Sequence, residues 1–294
     1  MSYRFRRKET IRDAFRRIVQ QQTAGIVAHL ADQGPDIAER IHDTRRRIKK
    51  LRALLRIVWA ELEKGCAERE DNILRDIARE LSKSRDASVV LDTFEPLATE
   101  IVGGGIQPIR TLLKNAETRT RTRALTPEKL ASFATRVRTC GHRLALCTFE
   151  ADGWIVVGPS IIHSYRQTRA LRSMIKKEPA PELIHQWRRQ SKRLLDQLTL
   201  LRKALPKALA QLTVRLRKFT ELLGEHHDLH LLRLTLADYT AQGIEAAAFP
   251  PLQAALDARL ASRLKRIRRA SRELFTLPAK EFAALLHAAW KAWA

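Results

Sequence analysis

Long apolar runs are missing from this sequence: nowhere do about 18 consecutive apolar residues occur, so no stretch reads as a bilayer-spanning helix. The opening MSYRFRRKETIRD has no apolar core of a signal peptide, and the expectation is a cytoplasmic protein without membrane insertion. Cysteine is scarce as well. Cys66, Cys140 and Cys147 are odd in number and lack CxxC spacing, which argues against a disulfide framework or a zinc ribbon and leaves free thiols in a reducing compartment. No segment alternates apolar and polar residues long enough to form a strand, and Ile155 to Val157 is too short to carry a sheet. Aromatic residues make up only 6%, and many fall on apolar faces, so few rings remain to stack nucleic-acid bases. The chemistry-bearing patterns are absent too: no glycine-rich phosphate loop leads into Lys-Ser or Lys-Thr, no carboxylates cluster for magnesium, and no nucleophile stands beside a base. The expectation is a protein that is not an enzyme and needs neither cofactor nor metal.

Acidic residues are also in short supply. Against 55 Lys and Arg stand 32 Asp and Glu, a formal charge of +23 that internal pairing cannot neutralise. Such an excess calls for a polyanionic partner. Nucleic acid, an anionic membrane surface and polyphosphate all satisfy that condition.

What fills the 294 residues is helical periodicity. The pattern predicts helices over about Lys8 to Leu30, Asp36 to Lys64 with Gly65 as a left-handed stop, and Glu68 to Lys83. Ser84 is then expected to cap a new helix at Arg85-Asp86. The tract from Gly103 to Thr126, with three glycines and a TRTRTR run, reads as partly linker with a short helix near Pro108 to Ala116. A helix from Pro127 to Glu150 follows Thr126, and Asp152-Gly153 with Gly158-Pro159 reads as the boundary between halves. The second half predicts helices over Ser160 to Lys177, Glu182 to Ala204, from Pro206 to Gly224, His226 to Ala241, Leu252 to Leu274 and Pro278 to Trp293. The fold class is all-α.

One helix stands out. In IHDTRRRIKKLRALLR, residues Ile41 to Arg56, the side chains of His42, Arg45, Arg46, Lys49, Arg52 and Arg56 fall within an arc of roughly 120°, while Ile48, Leu51, Leu54 and Leu55 take the opposite side. The arrangement returns with His185, Arg188, Arg189 and Lys192 opposite Ile184, Trp187, Leu194 and Leu198. A second pair of landmarks keeps nearly the same spacing: Arg85-Asp86 and His227-Asp228 each follow a leucine-containing run. A duplicated unit of about 140 residues accounts for both coincidences. Packed as antiparallel bundles about a rough two-fold, two such units bring the basic stripes toward one cleft.

The doubled pattern His-x2-Arg-x3-Lys, each copy followed by a leucine-rich run ending in Asp, resembles the CHAD family, the conserved histidine α-helical domain. His42, Arg45, Lys49 and Arg52 fill all four positions of the longer pattern His-x2-Arg-x3-Lys-x2-Arg. His185, Arg188 and Lys192 fill three, and Leu195 departs at the fourth. The resemblance implies one all-helical domain over residues 1–294, built of two pseudo-symmetric antiparallel bundles, 1–152 and 153–294, with a shared basic cleft that binds inorganic polyphosphate. No part of the chain is left over for the triphosphate tunnel domain that often accompanies such proteins, so it reads as a stand-alone member, with polyphosphate granules as a destination. The residues expected on phosphate are those of the first stripe, those of the second with Arg193, and beside them Tyr165, Arg169, Arg263 and Arg266. Asp86 and Asp228 are expected to start helices or orient arginines.

The chemistry suits the ligand. Arginine offers a planar fork to two phosphate oxygens, and lysine a compact charge on a flexible stem. Histidines beside unneutralised arginines should lose a proton readily and regain it when phosphate arrives. Binding should weaken steeply with salt, by analogy with counterion release. Three alternatives come from the same residues. A basic helix face is often only a solvated surface, His42 and His185 also fit structural roles, and Tyr165 fits a packing role at least as well as a hydroxyl contact to ligand. Nucleic acid competes as a ligand through Arg4 to Lys8, the TRTRTR run and Arg263 to Arg272. His42-Asp43 and the His226-His227-Asp228 and His230 group invite a metal reading, but arginine and lysine surround the first, and adjacent residues of the second point apart on a helix.

Overall fold

The computed structural model describes the backbone of residues 3–294 except 33, 35, 102–104, 125, 206 and 245–247, and also leaves out the side chains of 83–85, 121, 123, 124 and 208. The expected breaks at Pro35 and Pro206 and two glycines of the glycine tract, Gly103 and Gly104, lie outside the described residues.

The described residues form ten α-helices and no strand. They are α1 Ile11–Ala31, α2 Ile37–Ile57, α3 Cys66–Ala98, α4 Ile106–Ala124, α5 Pro127–Leu146, α6 Trp154–Lys177, α7 Pro181–Leu200, α8 Lys207–Ala241, α9 Phe249–Leu274 and α10 Ala279–Trp293, with a 3-10 turn at Trp59–Glu61 after α2. Several starts are chemically marked. The side chains of Thr10, Asp36 and Thr126 each accept the backbone N–H three residues on, which satisfies a donor that the helix leaves unpaired. Gly65, at φ +80°, makes the left-handed step that ends the turn after α2 and opens α3.

Five expected boundaries are corrected. The helix expected to continue to Lys64 stops at Ile57, Gly158-Pro159 lies inside α6, and the TRTRTR run continues α4. No helix starts at Ser84: α3 runs unbroken for 33 residues. Likewise no break occurs at Gly224, and α8 runs for 35. The last two share a physical cause. In α3, Leu74, Ile77 and Leu81 face one core, while Val90, Phe94 and Leu97, roughly 180° round the helix, face another. In α8 the change is the same, from Leu216, Phe219 and Leu223 to Leu229, Leu232 and Leu236. A reversal of the buried face mimics a helix end in sequence, and it falls near Asp86 in one helix and Asp228 in the other. Neither aspartate therefore sits in a first turn.

The larger core draws on all helices but α4, from Tyr3 to Trp290, and the smaller one joins the far ends of α3 and α8 to α4 and α9. Both cores mix residues from before and after 152, so the halves of the sequence are not separately packed bodies. Pairing within them is nonetheless parallel. As α1 packs on α2 and α5, so α6 packs on α7 and α10; as α3 packs on α2 and α4, so α8 packs on α7 and α9. Across the middle, α2 meets α7 and α3 meets α8. Full burial of a side chain such as Phe94, Leu74 or Leu232 contributes about 1.5–3 kcal/mol, and these contacts hold the two stripe helices in place.

Candidate polyanion-binding seam

Ile48, Leu51, Leu54 and Leu55 of α2, and Ile184, Trp187, Leu194 and Leu198 of α7, are buried, which turns the opposite, cationic arcs outward along the contact between the helices. Trp187 anchors α7 by an edge contact with Phe219, and its indole N–H donates to the Thr168 carbonyl at 2.9 Å.

The stripes converge. Lys49 of α2 is exposed, yet protein on all sides and the charges of Lys192, Arg45 and Arg188 lower its pKa to about 7. Desolvation is the largest cause. The residue as a whole is nonetheless exposed, so the cations of both helices act on it alongside burial. Arg193 of α7 tells the same story farther along: burial, then Arg56 and Arg52 across the seam, brings it down to about 10.

Asp71 of α3 lies beneath this end of the seam, 3% exposed. Arg52 donates Nε and Nη2 to its two oxygens at 2.8 and 2.9 Å, and Arg56 donates Nη2 at 3.0 Å. Burial works against its ionisation, but the Arg52 bonds and the charges of Arg52, Arg56 and Arg193 outweigh it and hold its pKa below the ordinary value. Arg56 also lies over the Trp59 ring, 5.1 Å from its centroid. Arg45 is steadied differently, donating at 2.8 Å to the Ser82 hydroxyl, which itself donates to the Ala78 carbonyl. At the other side of Lys49 and Lys192 sits Asp196, raised to about 6 by burial, although Lys49, Lys50, Lys192 and Arg217 pull the other way. Asp71 and Asp196 are thus carboxylates set among cations of both helices.

At the α7–α8 end, His185 and His227 place their Nδ1 atoms 3.3 Å apart, so one donates while the other accepts. Burial, and then Arg189, Arg188 and His230, lowers His185 from its ordinary value; burial with Arg188 and His185 takes His227 to about 3. Arginines do depress His185 as expected, but burial is the larger cause. His226, at about 4 for similar reasons, is 7% exposed and faces Arg233 and Arg263. Among the described residues no group of three or more His, Cys, Asp or Glu can hold a metal ion.

Other expected site residues are placed elsewhere. Tyr165 is 1% exposed, donates its hydroxyl to the Leu277 carbonyl at 2.8 Å and stacks on Phe282, so it is a core residue and not a phosphate contact. Arg169, exposed on α6, lies beside Tyr165 and away from the seam. Arg263 pairs with Glu225 of α8 at 2.5 Å, and Arg266 is exposed on α9 with no hydrogen bond or ion pair among the described residues. Arg46 and Arg189 form an exposed rim, Arg46 partly neutralised by Asp43 at 3.0 Å, and His42 is exposed on the first stripe. Asp86 is exposed and Asp228 half-buried, each in mid-helix. The residues that sequence reasoning missed are Asp71 and Ser82, which hold Arg52, Arg56 and Arg45. The only trace of them was the acidic beginning of α3, ERED, where Asp71 looked like any first-turn carboxylate.

Comparison with known proteins agrees with this architecture. The family model of the CHAD domain matches residues 17–237. The crystal structure of the CHAD domain from the plant Ricinus communis superposes with a TM-score of 0.70 at 18% sequence identity, over 95% of this chain and 96% of that one. No curated protein matches the sequence.

Proposed function

The chain belongs to the CHAD domain family, and from that premise we propose that it binds inorganic polyphosphate along the α2–α7 seam without reacting with it. The observation that carries the reading is the company of Lys49. Burial first, and then Lys192 and Arg188 from α7 with Arg45 from its own helix, loosen its hold on its proton, so cations of both helices meet at this point. Like charges gathered at one spot oppose folding, and a flexible polyanion lying along the seam offsets that repulsion. Asp71 and Ser82 steady three of the arginines, so their forks are set before the ligand arrives, which lowers the ordering cost of binding.

Binding itself is the activity on this reading, and recruitment to polyphosphate granules in the cytoplasm is its use. The matching helix pairings of α1–α5 and α6–α10, with the buried-face reversal repeated in α3 and α8, support an ancestral duplication of residues 1–152 and 153–294 into a single domain.

Nucleic acid is the competing ligand, favoured by the exposed arginines of α9. The seam argues against it: Trp59 beside it already carries Arg56 on its ring, and Trp187 is buried. Competition tests the choice. Polyphosphate of defined length should displace labelled RNA or DNA at a much lower phosphate concentration than RNA or DNA displaces polyphosphate. Equal displacement at equal phosphate would replace this reading with nonspecific polyanion binding.

A further inference from the structure

The C-terminal ends of α6 and α9 lie against each other through a reciprocal exchange. Arg268 of α9 donates to the Ile175 carbonyl in the last turn of α6 at 3.3 Å, and Arg172 of α6 donates to the Phe275 carbonyl that caps α9 at 3.1 Å. Each arginine satisfies a carbonyl that a helix end leaves unpaired and complements the negative end of the other helix's dipole. Two cations suffice for that structural task.

Five more surround them. Arg169 and Lys176 on α6, and Lys265, Arg269 and Arg272 on α9, are all exposed, and none forms an ion pair among the described residues. On α6, Arg169, Arg172 and Lys176 span roughly 60° of arc; on α9, Lys265, Arg268, Arg269 and Arg272 span roughly 100°, opposite the buried Ile267 and Leu260. Glu178 and Glu273, the acids adjacent in sequence, are exposed and pair with none of the five. This surface lies behind α7. Trp187, on the arc of α7 opposite His185, Arg188 and Lys192, points at α6 through its bond to Thr168 and comes within 6.3 Å of the Phe275 ring.

We propose that the joined ends of α6 and α9 are a second polyphosphate-binding surface, on the side of α7 away from the seam, so that one molecule holds two strands. Only the identity of the ligand rests on the function proposed above. Two rows of cations, repeating at about one helical turn, fit an extended polyanion better than a compact one. The rings nearby, Tyr165, Trp187 and Phe275, are all buried, so no base finds a stacking partner. Two surfaces back to back make the protein bivalent, and a bivalent binder bridges long chains that a monovalent one only coats.

The test uses the full chain and polyphosphate of two lengths. Short chains, titrated calorimetrically, should bind in two steps to the wild type and in one to a variant carrying Arg169→Ala, Lys265→Ala, Arg269→Ala and Arg272→Ala, with Arg172 and Arg268 left to hold the helix ends. Long chains should raise light scattering with wild type and not with the variant. On the wild type alone, saturating polyphosphate should protect Lys176 and Lys265 from acetylation, a readout that does not depend on how the variant folds. One short chain per wild-type molecule, with both lysines labelled at the unliganded rate, would overturn the proposal while leaving the seam intact. If short chains instead bind once to the wild type and the alanine variant loses that step, the rear surface stands and the seam reading falls.

Discussion

Arg52 sets its guanidinium fork against Asp71, Nε to one oxygen and Nη2 to the other, at 2.8 and 2.9 Å across the α2–α3 contact. The same carboxylate receives Arg56 at 3.0 Å, so one buried anion aligns two cations a helical turn apart. Arrangement, and not only charge, distinguishes this seam from a solvated basic face.

Replacing Asp71 with Asn keeps the shape and removes the charge that Arg52 and Arg56 share. Breaking a buried pair costs roughly 3–5 kcal/mol, and because both arginines are partly hydrated the expected loss here is about 1–3 kcal/mol at pH 7, read by urea unfolding. The folded pKa of Asp71 is depressed, so its contribution is present above the ordinary carboxylate range and is lost as pH falls through the folded value. Wild type and variant should therefore converge in strong acid. Equal stability at pH 7 would show that the fork contributes nothing.

Lys49 gives the binding reaction a pH signature. With its pKa lowered to about 7 by burial and then by the cations around it, it holds its proton weakly in neutral buffer, and a bound polyanion restores it; His185, also depressed, adds to the uptake at lower pH. Calorimetry at pH 7 to 8 in buffers of different ionisation enthalpy should show proton uptake that Lys49→Arg largely removes. In the free protein the sign is opposite to that of a paired lysine. Charged Lys49 opposes folding below its folded pKa, and stability rises between about pH 7 and the ordinary lysine value, so Lys49→Met should raise the Tm at neutral pH. A lower Tm in that variant would mean that the crowding is not felt.

The helical class and both stripes are legible because in each copy a cationic arc lies opposite an apolar one along a single helix. The ends of α3 and α8 are not. The apolar residues that follow Leu81 and Leu223 are as periodic as those before them, but out of phase, and only the second core around Phe94 and Leu232 explains the shift. Tyr165 illustrates the converse difficulty: in sequence a phenol on a basic helix fits a ligand contact as well as a packing role, and only Phe282, far along the chain, decides for the core. Asp71 was hidden for the same reason, since its partnership with Arg52 is a contact between helices.

Tyr165→Phe should accordingly leave polyphosphate affinity unchanged and lower stability by about 1–2 kcal/mol, because the Leu277 carbonyl loses its donor. A marked loss of affinity without loss of stability would return the phenol to the binding surface.

The thiols should be quiet. Burial, then the neighbouring Cys66 thiol 3.6 Å away, raises Cys147 to about 12, and burial with Glu70 raises Cys140 further. At pH 7.5 neither forms appreciable thiolate, so an aromatic disulfide reagent should react with them far more slowly in the folded chain than in urea. Equal rates in the two states would contradict the packing around α3 and α5.

The most direct test of the binding site is titration of defined-length polyphosphate into the wild type and into a variant with Arg45, Lys49, Arg188 and Lys192 changed to alanine. Short chains should be used, and the stronger step followed. Losing four cationic donors at roughly 1 kcal/mol each predicts an affinity lower by about a thousandfold, with an unchanged helical spectrum. An affinity that stays within about twofold of wild type, well under the effect of a single charge-assisted contact, would contradict the α2–α7 seam as the place where the polyanion is held.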